Sequence, residues 1–409
     1  MQKATFVFHK TNKEQVNTDS HTKIVDGELL YQTELGYGFV TEDNKVSEEM
    51  LQIPEANSGF ARRENDSSVK TKVFSDERGC FVKEGSYLPL CFKIDVVRLG
   101  NYEITVDFMA KGEVLVFTGA RRLVYRSVYK ELTAKSYTYT MNVCDIIPGK
   151  KAFLYEQRSI DLTFVGEQVI LQKISLKYVN SPTVYIAGDE SVMDKIAYYP
   201  YNPLENTGGW GQMLSAYIRK GIAVSNHSKE QLSIAGFRQE GYYAMIKAHL
   251  RLGDYVLLHF SKTEEADVGE VDSDQYRSIL IEFIEETRAM GAYPILVTPF
   301  CRNVWLADGS KLKDKQYDYA IVCREVGHTY HVPVIDLHKE SKEFIVTIGQ
   351  ERAQAYFMQD GNRLNDIGAY KMAGMVSACY IRLMHHVRAD AYARLSHYFN
   401  EENVTWIIN

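Results

Sequence analysis

Apolar and polar residues alternate with a period of two across roughly the first 180 positions. Tyr102, Ile104, Val106 and Phe108 alternate with Glu103, Thr105 and Asp107. Ile160, Leu162 and Phe164 alternate with Asp161 and Thr163, and Ile174, Leu176 and Tyr178 with Lys173, Ser175 and Lys177. A strand turns successive side chains to opposite faces, so this pattern predicts half-buried strands. Glycine-containing turns are expected at Lys111-Gly112, Thr118-Gly119 and Pro148-Gly149. Many short strands punctuated in this way predict an all-β sandwich domain over residues 1–180.

Asn180-Ser181-Pro182 breaks the pattern. Beyond it, apolar strands are expected at 184–187, 255–260, 294–297 and 332–337, and helices at 210–218, 276–290 and 367–383. Alternating β and α segments predict an α/β domain over residues 183–388, a parallel sheet covered by helices on both faces. The functional edge of such a sheet lies beyond the carboxyl ends of its strands. Residues 188–191, 261–264 and 298–302 fall there. The polar and aromatic tail, 389–409, reads as a C-terminal extension with no assigned element.

Composition narrows the chemistry. At 409 residues, two domains are expected rather than one core. A formal net charge of −6 and the absence of a Lys/Arg block argue against a nucleic-acid partner. No run approaches the roughly 18 apolar residues of a membrane span. The six cysteines have no metal-ligand spacing with histidine, so neither a metal nor a cofactor is expected. The first residues carry no apolar leader, which predicts a cytoplasmic chain, or a secreted one if the sequence has been trimmed. Arg121, Arg122 and Arg126 read as a solvated edge near a loop, and His259 as a core histidine at the end of a buried strand.

The most informative segment is 183–194. An apolar strand runs into Gly188-Asp189, and Glu190 stands where a nucleophile is expected. The surrounding frame continues in order: Val192 and Asp194; Gly209-Trp210-Gly211-Gln212; Val224 and Asn226; Gly253-Asp254-Tyr255-Val256; Thr298-Pro299 with Arg302; Asp360-Gly361; Leu364-Asn365; Gly368-Ala369. This frame resembles the SGNH (GDSL-type) hydrolase family, in its rhamnogalacturonan acetylesterase-like branch of carbohydrate esterases. The resemblance implies a flavodoxin-like three-layer α/β domain behind a galactose-binding-like sandwich. It also implies a serine nucleophile, a histidine base three residues after an aspartate, and an oxyanion hole from backbone, glycine and asparagine.

At the matching positions this chain carries Glu190 for the serine, Gln231 for the glycine, Thr263 for the asparagine and Arg363 for the histidine. Of the triad, the resemblance leaves only Asp360. Arginine stays protonated at neutral pH and cannot act as the base. The expectation is a catalytically inactive relative acting in carbohydrate binding or assembly. A Glu190–Arg363–Asp360 ion network is expected to fill the former triad. The alternative is an active carbohydrate O-acetylesterase with Ser191 as nucleophile. Trp210, Lys262, Glu264 and Arg302 are candidate ligand contacts. The partner expected is a pectin-type or other acetylated oligosaccharide, with an oligomer left open.

Overall fold

The computed structural model describes residues 2–10, 21–42, 59–62, 70–147, 158–262, 271–385 and 390–408. The chain divides into two compact units. The first comprises Met1–Asp145, Glu156–Ser181 and Lys195–Asn202; the second comprises Ile146–Tyr155, Pro182–Asp194 and Pro203–Asn409.

Among the described residues the first unit holds the strands β1 (Lys3–Phe8), β2 (Thr22–Val25), β3 (Tyr37–Val40), β4 (Phe60–Arg62), β5 (Val73–Asp76), β6 (Gly79–Val82), β7 (Leu90–Asp95), β8 (Gly100–Thr118), β9 (Arg122–Val143) and β10 (Ser159–Val179). Nine of these form one connected sheet, and β4 pairs separately with a short later strand, Ala197–Tyr199, here β12. β10 is the shared member. Along one edge it pairs with β8 over most of its length. On its other edge its first half pairs with β7 and its second half with β1. The two branches meet through aromatic rings. Phe6 and Phe8 of β1 lie 5.4 and 4.9 Å from Phe92 of β7, both in edge-on geometry. Such contacts add to the burial of the rings themselves.

Over residues 100–179 the expected succession of short strands is replaced by three long ones, of 19, 22 and 21 residues. The reason lies in bulges. Thr118-Gly119 does turn the chain between β8 and β9. Lys111-Gly112 instead sits at a register shift inside β8, where Gly112 has φ +78°. A bulge inserts one residue and bends the strand without ending it. A second shift, between Gly166 and Gln168, merges two expected strands into β10. Pro148-Gly149 lies outside the described residues. Arg121 and Arg122 are not a solvated edge: they are 0% and 5% exposed, and the Arg121 Nε donates to the Lys195 carbonyl at 2.9 Å.

The second unit contains β11 (Thr183–Gly188), β13 (Ala223–Asn226), β14 (Tyr255–His259), β15 (Tyr293–Val297) and β16 (Val334–Ile335). Their order is β13-β11-β14-β15-β16, and every pair is parallel. Counted within this sheet, that is the flavodoxin-like order 2-1-3-4-5. The helices are α1 (Trp210–Met213), α2 (Ile234–Gln239), α3 (Tyr242–His249), α4 (Ser273–Ala289), α5 (Tyr317–Thr329), α6 (Leu337–Ile348), α7 (Gln350–Ala353), α8 (Asp366–Met384), α9 (Ala391–Ser396) and α10 (Glu401–Ile408). Tyr185, Ala187, Val256, Leu258 and Leu296 join one core with residues of α2 to α5. The alternate positions Val184, Ile186, Leu257, Ile295 and Val297 are equally buried. Burial of both faces explains why these strands are continuous apolar runs.

The strand expected at 332–337 shrinks to two residues, and the tail is not a separate extension. Buried tyrosines of the second unit hold its main chain, and one of its own asparagines donates back to the main chain of that unit. Tyr255 Oη donates to the Ala391 carbonyl and Tyr380 Oη to the Tyr392 carbonyl, both at 2.8 Å; Asn403 Nδ2 donates to the Ala216 carbonyl at 2.8 Å. Among the described residues no helix is long and apolar enough to cross a membrane.

Candidate functional site

The strand order reverses between β11 and β14, and a crevice opens at such a switch point beyond the strand ends. β11 ends at Gly188 and β14 at His259, so the turns 189–191 and 260–262 flank it. Asp189 occupies the junction and is 1% exposed. Its Oδ1 accepts from the Ser191 N–H at 2.8 Å and from the Ser191 hydroxyl at 2.6 Å. Its Oδ2 accepts from the Ser261 N–H, which ties the β11 turn to the β14 turn.

Ser191 Oγ also lies 3.1 Å from His259 Nε2. Sequence spacing gives no hint of this contact across 68 positions. A hydroxyl has a single proton to donate. The shorter contact, to a carboxylate, is the stronger claim on it. Nε2 must then carry the imidazole proton and donate to Ser191 Oγ, an assignment that follows from the network. Nδ1 is buried and makes no hydrogen bond of normal geometry, although the Val297 main chain acts on the ring. Burial pushes the His259 pKa down to about 4. The Asp189 charge and the Val297 main chain oppose that shift, while Arg302 reinforces it. His259 is therefore neutral and buried against the Ser191 hydroxyl.

Trp210 is not a ligand wall. It is 0% exposed, and its ring stands edge-on to His259 at 5.4 Å. Gly209 before it has a packing reason: a Cβ there would lie 2.3 Å from the Val192 carbonyl carbon. Asn226 Nδ2 ties the same turn down, donating to the Val192 carbonyl at 2.7 Å and to Asp194 Oδ1 at 2.9 Å. The frame residues around the Gly-Asp turn thus hold its backbone in place.

The replaced positions behave differently from one another. Glu190 is half-buried, and no ion pair joins it to Arg363, so the expected three-membered network does not form. Arg363 Nε instead pairs with Asp360 Oδ2 at 2.6 Å, three residues away in an exposed turn. Burial disfavours the Asp360 carboxylate, but the Arg363 N–H and guanidinium and the Asn362 N–H outweigh it and lower its pKa. Exposed pairs of this kind contribute little. Arg363→Ala is expected to change unfolding free energy by less than about 1 kcal/mol in a urea titration; a larger loss would mean that Arg363 supports more than its own turn. Gln231 keeps φ at +57°, a left-handed conformation that suits the glycine of the resemblance and costs other residues roughly 1–2 kcal/mol. Thr263 and Glu264 lie outside the described residues. Lys262 and Arg302 line a common cavity.

Among the described residues no group of three or more His, Cys, Asp or Glu side chains could hold a metal ion. Burial raises the thiol pKa of Cys80, Cys301, Cys323 and Cys379 to about 12, which leaves them protonated.

No family model matches the chain. Among curated proteins, YxiM of Bacillus subtilis, described as an uncharacterized esterase, is 26% identical over 349 residues, covering 84% of this chain and 82% of its own length. The rhamnogalacturonan acetylesterase RhgT of the same organism is 26% identical over 208 residues, 47% of this chain and 87% of its own. The probable rhamnogalacturonan acetylesterase YesY is 29% identical over 204 residues, 47% of this chain and 90% of its own. The chain is thus similar to rhamnogalacturonan acetylesterases and related esterases. Among solved structures, YxiM of Bacillus subtilis aligns with a TM-score of 0.46 at 20% identity, over 95% of this chain and all of its own. Axe2, an acetylxylan esterase of Geobacillus stearothermophilus, aligns at 0.38 and 14%, over 52% of this chain and 97% of its own. The Gly-Asp turn, the Gly-Trp-Gly segment and the Asp360 turn are present in this chain, with Glu190 and Arg363 at the positions where the sequence resemblance places the nucleophile and the base.

Proposed function

We propose that this acetylesterase-like chain binds carbohydrate in the crevice beyond β11 and β14 without running the serine ester-hydrolysis mechanism. One observation carries the reading: the hydroxyl of the Gly-Asp turn, on Ser191, is buried and donates to the buried Asp189 carboxylate. A serine nucleophile requires a base with a free lone pair and a path to the substrate carbonyl. Ser191 is 9% exposed, and His259 is fully buried. Glu190 cannot serve as an acyl-accepting hydroxyl, and Arg363 cannot accept a proton at neutral pH. Its similarity to rhamnogalacturonan acetylesterases supports an acetylated oligosaccharide as ligand. Folding of the first unit into a two-layered sandwich is part of the same reading, supported by the ring contacts between the β1 and β7 branches.

The test is acetate release from an activated aryl acetate and from acetylated rhamnogalacturonan. The wild type is expected to stay at background. Glu190→Ser alone is expected to stay there too, because the base position still holds arginine; loss of a single oxyanion donor already costs roughly 10²–10³ in turnover. The 3.1 Å approach of His259 to Ser191 is what favours the competing reading, a rearranged esterase. Wild-type release that Ser191→Ala abolishes while the protein stays folded would establish that reading and remove ours.

A further inference from the structure

Outside the crevice, α5 and α6 flank an open groove of about 490 Å³, inside the roughly 300–1,000 Å³ range of small-ligand sites. None of its lining residues belongs to the turns 189–191 and 260–262. The α6 wall is one stripe of that helix, because His338, Lys342 and Val346 are spaced four residues apart. Tyr317 of α5 faces them across the groove. Tyr317 and Val346 are 49% and 55% exposed, so an aromatic ring and an aliphatic side chain are offered to solvent. The ring is seated against buried His338, with 6.2 Å between centroids, and Lys342 Nζ lies 5.8 Å from its centre. His338 is itself held: Nε2 lies 2.9 Å from Asp314 Oδ1, and Nδ1 lies 3.3 Å from Arg324 Nη2. Every lysine and arginine of the lining has a carboxylate partner. Arg324 makes a two-pronged pair with Asp336, 2.9 Å at each prong. Lys342 Nζ meets Asp314 Oδ2 at 2.8 Å, and Lys339 Nζ lies 4.0 Å from Glu343 Oε1.

We propose that this groove binds a neutral glycosyl unit, stacked on Tyr317, as a second carbohydrate site apart from the crevice. The proposal goes beyond the crevice reading and does not depend on it. The lining disfavours other ligand classes in turn. A wholly apolar ligand would cover charged side chains without giving them hydrogen bonds, which costs desolvation energy. An anion meets no surplus of positive charge, because the three cations already face three carboxylates. A cation would share the Tyr317 ring with Lys342 and be repelled by it. A neutral pyranose suits what remains. One of its faces is a set of weakly positive C–H groups, which complements the negative face of an aromatic ring. Its rim is a set of hydroxyls that both donate and accept. The groove supplies partners of both kinds: an ammonium carries three N–H groups, of which Lys342 uses one on Asp314, while the Glu343 carboxylate and the Thr347 hydroxyl accept. A ring already seated on a buried histidine loses little freedom on binding.

Isothermal titration of the full chain with xylohexaose, β-1,4-galactohexaose, hexagalacturonate and acetylated rhamnogalacturonan oligosaccharide tests this. The better of the two neutral hexamers should bind about tenfold or more tighter than hexagalacturonate. Tyr317→Ala should weaken that neutral hexamer about tenfold or more, whereas Tyr317→Phe should stay within about twofold of wild type, because stacking needs the ring and not its hydroxyl. Val346→Glu, which sets a charge in the groove at an exposed position, should also weaken it about tenfold or more. Thermal unfolding of each variant separates lost binding from lost folding. Hexagalacturonate binding as tightly as the neutral hexamers would overturn the assignment to a neutral sugar. Oligosaccharide binding that ignores both Tyr317→Ala and Val346→Glu would overturn the groove and leave the crevice reading standing. Binding of the acetylated oligosaccharide that Tyr317→Ala abolishes in a folded protein would keep the groove and overturn the crevice as the carbohydrate site. No binding of any ligand would overturn both.

Discussion

Asp189→Ala is expected to lose about 3–5 kcal/mol of stability, read as a fall in the urea midpoint at unchanged slope. The physical reason is the number of donors that depend on one buried carboxylate. Ser191 N–H, Ser191 Oγ–H and Ser261 N–H all converge on it. Each buried donor left without a partner costs about 1–3 kcal/mol. Two of the three lie on the β11 turn and the third on the β14 turn, so the substitution also unties two neighbouring strands at their functional ends. Asp189→Asn keeps one acceptor oxygen but places an amide group where the second oxygen stood, so a smaller loss, about 2 kcal/mol, is expected. A loss under about 1 kcal/mol for Asp189→Ala would show that the turn holds itself by other means.

The second large effect is on acid stability. His259 is buried and neutral, with a pKa of about 4 in the fold against 6.5 in the unfolded chain. Between those values the unfolded chain binds the proton and the folded protein does not. Stability from this group is therefore fully present above pH 6.5, falls as the pH drops, and is lost by about pH 4. At 1.36 kcal/mol per pH unit, a separation of roughly 2.5 units amounts to about 3 kcal/mol. Asp314, held down to about 2 by His338 and Lys342 against the opposing effect of its burial, gives up its own contribution only at lower pH. Comparing unfolding free energies of the wild type and His259→Gln from pH 7 to pH 4 isolates the histidine, because both proteins keep every other titrating group. The gap between the two curves should shift by about 3 kcal/mol across that range. Parallel curves would mean that His259 takes up its proton in the fold as readily as it does unfolded.

Much of the α/β unit was legible before any coordinates. A parallel sheet buried on both faces must be written in short apolar runs, and 184–187, 255–260 and 294–297 are such runs. β13 escaped because Ala223–Asn226 ends in two polar residues, whose burial depends on partners elsewhere: Ser225 with His227, and Asn226 with the Val192 carbonyl. In the first unit, alternation located the strand residues but not the strand ends, because a glycine at a bulge and a glycine at a turn look alike until the partner strand is placed. The candidate site divides in the same way. Positions read from the Gly-Asp frame lie where the sheet edge requires them. What motif spacing could not convey was direction: that Trp210 faces inward onto His259, that Arg363 turns to its neighbour Asp360, and that Ser191 meets a histidine 68 positions later. Those depend on rotamers and burial.

The pairing of β1 with the far half of β10 has a consequence for how the chain is made. Residues 3–7 find their antiparallel partners at 173–177. On the ribosome, β1 emerges early and must wait for most of the first unit to be synthesised before that edge is covered, with only β2 beside it in the meantime. Contacts so distant along the chain close slowly, and an uncovered strand edge invites pairing with the wrong neighbour. Recovery of this protein from overproducing cells should therefore depend more on temperature and rate of synthesis than the compact α/β unit alone would suggest.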